Sequence, residues 1–179
     1  MNTTLTDRSD ADLLEASFHR LKVQDLLALC NPFETFQSAG QEIGRDEVLE
    51  CLAAGDEFMT HTPVWYENAR ARNPVSEGEM RRRHVRKIAY FVKHKANEPI
   101  SIDVGVPSLG HHFNHLVDDG NHRFAAAIIR EDTTICVKVG GELEYARELG
   151  LWNPNGAEKE LCRRSGTPVS PKRSARRVR

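Results

Sequence analysis

Asp118 and Asp119 lead through Gly120 into Asn121-His122-Arg123 and then Phe124-Ala125-Ala126-Ala127-Ile128-Ile129. A short apolar stretch, an Asp-Gly turn and an alanine-rich helix in that order make an anion site. Gly120 can adopt a positive φ and let a ligand approach the backbone, while the first N–H groups of the helix behind it have no intrahelical acceptor. His122 and Arg123 fall in the first helical turn, where the helix dipole disfavours cations. A phosphate bound in the same place would explain them.

Arg123 is the leading candidate, because a planar guanidinium fork suits a di- or triphosphate. Its alternative role is an ion pair with Asp118 or Asp119 that only steadies the turn. Gly120, Asn121, His122 and Arg123 form the expected ligand-binding set, with Asn121 and His122 as donors to phosphate oxygens or as plain helix caps. Asp119 is the expected Mg²⁺ ligand, since Mg²⁺ carried in by a phosphate needs few protein groups. Asp119, His122 and Arg123 are the candidate catalytic residues. Phosphoryl transfer also needs a base or a water-positioning group, for which Asp119, Glu98 and His112 are the nominees. His111, His112 and His115 could join His122 and Asp119 around zinc, but neither a HExxH helix nor a cysteine partner accompanies them.

The elements that must position this turn follow from periodicity. A helix is expected over 10–18, a strand over 19–23, and a helix over 24–29 that stops at Asn31-Pro32, followed by a chain reversal. Val48, Leu49, Leu52 and Ala53 give the helix 45–54 its apolar face, with Gly55 as C-cap. A strand over 62–66 and a polar loop over 68–78 precede the longest helix, 79–95, in which Val85, Ile88, Ala89 and Val92 recur at i, i+3, i+4 and i+7. Ser76 and Glu79 make a capping box for it. Its remaining faces carry Arg81, Arg82, Arg83, Arg86, Lys87, Lys93 and Lys95, a solvated surface or a second place for a phosphate or nucleic acid. Trp65, Tyr66, Tyr90 and Phe91 read as packing residues rather than stacking platforms for bases. Strands over 99–104 and 133–139 and a short helix over 142–149 complete an α+β domain with a small mixed sheet flanked by helices. The expected organisation is an N-terminal region 1–61, a core 62–150 and a basic tail 151–179.

With 39% apolar residues, the 179-residue chain can build a core without staples. Cys30, Cys51, Cys136 and Cys162 form no CxxC pair and read as reduced thiols of a cytoplasmic protein. The polar N-terminus has no apolar leader, and the longest apolar run, 124–129, is too short to span a membrane. The net charge of −1 conceals an asymmetry. Residues 163–179 hold seven of the 25 basic residues and no acid, which leaves 18 against 26 acids, or about −8, for the rest. Such a tail is expected to be disordered and suits either nucleic acid or no fixed partner.

Glu98-Pro99-Ile100-Ser101-Ile102 after a helix, then Val117-Asp118-Asp119-Gly120-Asn121-His122-Arg123-Phe124-Ala125-Ala126, resembles the ParB/sulfiredoxin superfamily, whose hallmark is a Pro-Ile strand and an Asp-Gly-x-x-Arg turn before an alanine-rich helix. The likeness covers roughly residues 62–139. Leu21 to Leu26 with Asn31-Pro32-Phe33 is similar to the family's opening strand and Asn-Pro turn. The resemblance implies a nucleoside triphosphate, ATP or CTP, held with Mg²⁺ at Gly120, Asn121, His122 and Arg123. Partition proteins of that family hydrolyse CTP through Gly-Glu-Arg-Arg, and sulfiredoxins use Gly-Cys-His-Arg with ATP. Relatives phosphorylate free serine, and some phage and plasmid members are called nucleases. Here Asn121 replaces the cysteine, so no thiolate nucleophile exists for sulfiredoxin chemistry. Asn121 also replaces the partition proteins' glutamate, and with roughly 40 residues after Val139 a helix-turn-helix domain is not expected in this sequence. The expectation is a nucleotide-dependent hydrolase or phosphotransferase; the alternative is a DNA-binding protein or nuclease that grips backbone phosphates at the turn and through its tail.

Overall fold

The run Phe124–Ile129 has no polar face, so a helix made from it must be covered on all sides. The computed structural model, which describes residues 18–38, 43–59, 76–113 and 115–152, places that helix between a sheet and a helical layer. In chain order the elements are β1 (Phe18–Lys22), α1 (Val23–Leu29), α2 (Pro32–Ser38), α3 (Arg45–Ala54), α4 (Glu77–Lys93), β2 (Ile100–Asp103), a 3-10 turn (Pro107–Leu109), β3 (Val117–Asp119), α5 (Asn121–Ile129), β4 (Thr134–Gly140) and α6 (Leu143–Glu148). The four strands form one mixed sheet in the order β1-β4-β2-β3, so the fold is α+β as expected. β1 runs antiparallel to β4, β2 parallel to β4, and β3 antiparallel to β2.

α5 contributes Phe124 and Ala127 to the core against the sheet, beside Ile100, Ile102, Val137 and Val139. Its other side contributes Ala125, Ala126 and Ile129 to a second core with Phe36, Val48, Val85, Ile88 and Ala89. Phe124, Ala125 and Ala126 have no exposed surface. The alanines matter because small side chains let α4 lie close.

Several boundaries differ from the periodicity. α4 begins at Glu77, two residues early, because Ser76 is its N-cap and accepts the Glu79 N–H at 3.3 Å. It ends at Lys93, with His94 as C-cap. The expected chain reversal after Asn31 is instead the helix α2: proline is well placed at a first helical position, and Asn31 Oδ1 accepts the Phe33 N–H at 3.1 Å. Gly55 caps α3 in the left-handed conformation, as expected. The helix expected over 10–18 lies outside the described residues except for Phe18, which opens β1. The strand over 62–66, with Trp65 and Tyr66, and the tail 163–179 also lie outside them.

The cysteine expectation needs a correction: Cys30 and Cys51 are free, but Cys136 is disulfide-bonded. Pairing depends on the separation of side chains in space, which residues far apart in sequence do not announce by spacing. No described helix is long and apolar enough to cross a membrane.

After α5 the chain turns through a Schellman motif: Glu131 N–H donates to Ile128 O at 3.1 Å and Asp132 N–H to Ala127 O at 3.0 Å. The motif puts Glu131 at φ 60°, the only positive φ of a non-glycine among the described residues. Its ion pair with Arg45 is exposed at both ends and contributes little. Glu131→Gly is therefore expected to raise stability by about 0.5–1 kcal/mol, through relief of left-handed strain. Chemical denaturation reads the change, and an unchanged or lower midpoint would contradict this account of the turn.

Candidate functional site

β3 ends at Asp119, and the chain enters α5 through Gly120 at φ 101° and ψ 15°. A Cβ on Gly120 would lie 2.5 Å from Ile100 Cγ2 and 3.0 Å from Arg123 Nη2, so glycine is required both by conformation and by space. Phe124 N–H makes the first helical bond, to Gly120 O at 2.9 Å. No side chain caps the helix, which leaves the amides of Asn121, His122 and Arg123 without an intrahelical acceptor.

Arg123 lies against this turn with its side chain 15% exposed. Nη1 donates to Glu98 Oε2 at 2.9 Å, and Nη2 donates to Asp119 Oδ2 at 2.9 Å and to Pro99 O at 3.3 Å. Its buried Nε has no hydrogen-bond partner. The ion pair with Asp119, the alternative role foreseen for Arg123, is thus present. Both carboxylates stand largely in solvent, so they orient the guanidinium more than they neutralise it.

Behind the turn, His122 meets His84 of α4: His122 Nε2 and His84 Nδ1 are 2.8 Å apart, and the rings are nearly parallel at 12°. Phe36 of α2 packs on both, with centroids 5.1 Å from His84 and 5.0 Å from His122. One ring must donate and the other accept, so the contact excludes a doubly protonated pair, and burial favours the neutral form of both rings. Burial, and then the charge of Lys87, push His84 down to about 4. Burial is also the main cause that drives His122 well below the ordinary histidine value, with His84, Lys87 and Arg123 adding to it.

Two clefts open beside Arg123. The smaller, about 190 Å³, is lined by Asp119, Gly120, His122 and Arg123 together with Lys87 and Glu98. Asn121 does not line it. Its Nδ2 donates back to Val117 O at 3.3 Å, and its buried Oδ1 has no hydrogen-bond partner. The larger cleft, about 420 Å³, shares Phe91, Glu98 and Arg123 with the first and continues to Arg20, Arg130 and Asp132.

The structure therefore gathers Asp119, Gly120, His122, Arg123 and Glu98, whereas His111, His112 and His115 line neither cleft. No group of three or more metal-ligating side chains occurs among the described residues. The basic helix is largely engaged elsewhere. Arg81 pairs with Glu47 at 2.7 Å, Arg83 with Glu79 at 3.2 Å, Arg86 with Asp56 at 2.9 Å, and Lys93 with Glu57. Much of its charge thus ties α4 to α3 and the segment after it. Tyr90 and Phe91 pack edge to face, as expected of packing residues. Phe36, Arg20 and Asp132 carry no motif and were not legible as site residues; only the tertiary contacts bring them here. No protein-family model, curated protein or solved structure matches the chain, so its function must be read from the site's own chemistry.

Gly120→Ala is expected to destabilise the protein by roughly 2–4 kcal/mol, combining a positive φ with overlap onto Ile100. Urea unfolding measures it, and a loss below about 0.5 kcal/mol would contradict the close approach. The histidine pair gives a pH dependence of definite sign. Both folded rings hold protons less well than the unfolded chain, so their contribution is complete above about 6.5 and is lost as pH falls toward about 4. His84→Gln should flatten that slope by roughly one proton, about 1.4 kcal/mol per pH unit. Equal slopes in the two proteins between pH 6 and 4.5 would refute the neutral pair.

Proposed function

We propose that this protein binds a nucleoside triphosphate, ATP or CTP, at the turn Gly120–Arg123 and is a ParB/sulfiredoxin-like nucleotide-dependent hydrolase or phosphotransferase. The observation that carries the reading is the cleft of about 190 Å³ at the uncapped start of α5, lined by Gly120, His122, Arg123 and Lys87. Free main-chain donors and the helix dipole there favour an anion, and the lining's two cations, Arg123 and Lys87, are balanced by the exposed carboxylates of Glu98 and Asp119. Small-molecule pockets usually span about 300–1,000 Å³, so this volume suits the phosphate chain rather than the whole nucleotide.

The acidic groups fit the same ligand. Asp119 and Glu98 hold Arg123 through one oxygen each and stand open to solvent. Mg²⁺ is commonly bound by one or two carboxylates together with substrate phosphates, and Asp119, with Glu98 beside it, supplies that number. Bound Mg²⁺ would draw charge from the phosphates. The residues' own work is to bind and orient: the amides of residues 121–123 and Arg123 hold the phosphate oxygens, and His122 offers a neutral ring whose tautomer is coupled to His84. Glu98 or Asp119 is the group placed to position water or an acceptor hydroxyl.

Calorimetric titration of the full chain with ATP, CTP and GTP in Mg²⁺, beside fluorescence titration with labelled DNA, tests the reading. Arg123→Lys keeps the charge but loses the fork, and should weaken nucleotide binding by about 10–100-fold while the thermal midpoint changes little. Saturable binding that is insensitive to this change, or no nucleotide binding at all, would overturn the proposal. DNA binding that falls steeply with salt and disappears when residues 163–179 are deleted would favour the nucleic-acid reading in its place.

A further inference from the structure

The larger cleft is not explained by a phosphate chain at the turn. Among the described residues, Arg20, Lys95, Arg123 and Arg130 line it against two carboxylates, Glu98 and Asp132. Their commitments are unequal. Arg123 is held by Glu98 and Asp119, and Arg130 and Lys95 share the single carboxylate Asp132, the former at 2.5 Å and the latter at 3.1 Å. Arg20, on the exposed side of edge strand β1, has no ion pair among the described residues. Thr133 and Thr134 add hydroxyl-bearing side chains to the wall. A concave surface with an excess of positive charge concentrates anions, and its field is strongest where low-dielectric walls confine it. Phe91, the one aromatic residue of the wall among the described residues, is only 7% exposed and offers no broad face for stacking a base.

We propose that this larger cleft is a second anion site that binds a phosphate monoester, with Arg20 as its principal uncommitted cation and Arg130, Thr133 and Thr134 around it. Guanidinium forks and threonine hydroxyls converging from several sides offer more donors than the two oxygens of a carboxylate can use, which matches a phosphate group. Arg123 stands in the wall between this site and the cleft at the turn, so two anions would bind side by side. The inference rests on the charge and shape of this cleft, and stands or falls separately from nucleotide binding at Gly120.

Amide chemical shifts of the full-length, isotope-labelled chain, titrated with inorganic phosphate and separately with acetate at matched ionic strength, test the proposal. Signals of Thr133, Thr134 and Ile135 should move saturably with phosphate and at least five times less with acetate at equal concentration. In Arg20→Gln, a change on an exposed strand position, the phosphate affinity read from those signals should fall at least fivefold while the spectrum otherwise stays folded. Absence of movement at residues 133–135, equal response to acetate, or an unchanged affinity in the variant would overturn it. Movement confined to residues 120–123 would do the same and leave the turn's own reading intact; movement confined to 133–135 would do the reverse.

Discussion

Everything distinctive about this molecule depends on how closely Gly120 approaches Ile100. The contact leaves no room for a side chain and requires a positive φ, and it is what lets β3 turn directly into α5 beside β2. Because the turn is so short, the helix starts without a capping side chain and its first amides remain available. Because β2 is adjacent, Glu98 and Pro99 just before it can hold the Arg123 guanidinium. A larger residue at position 120 would have to move strand and helix apart, and the arrangement around Arg123 would be lost with them.

The charges divide into those spent on the fold and those left for chemistry. Arg81, Arg86 and Lys93 bind acids on or just beyond α3, so the arginine-rich helix acts mainly as a fastening between layers. Arg130 and Lys95 converge on Asp132, whose carboxyl stays below the usual range: burial opposes its charge, but hydrogen bonds from both cations outweigh that cost. At the turn the balance differs, since Arg123 is mostly enclosed while its carboxylate partners are open to solvent. Exposed ion pairs are weak and exchangeable, which is what a site needs if a phosphate is to displace or share them.

The histidine pair adds a constraint of another kind. His84 and His122 come from different helices and meet under Phe36 in a buried setting that favours neutral rings. They link the packing of α4 against α5 to the protonation state of a residue lining the small cleft. Rigid placement of His122 therefore comes from the core rather than from the loop, consistent with a site built on regular elements.

Local sequence determined the turn and the helices. Gly120 before an alanine-rich run, the Ser76 cap, Gly55 after α3 and the spacing of Val85, Ile88 and Ala89 could each be read within a few residues, because glycine conformation, capping and helical periodicity are short-range effects. Asn31-Pro32 misled for the same reason, since proline both ends one helix and begins the next. Only the tertiary structure decided the partners: Glu98 rather than Asp118 as the second carboxylate on Arg123, His84 against His122, α2 and its Phe36 over that pair, and Arg20 brought to the cleft by the pairing of β1 with β4. Those contacts join residues distant in the chain, whose separation in space depends on how the layers pack, and no local pattern records it.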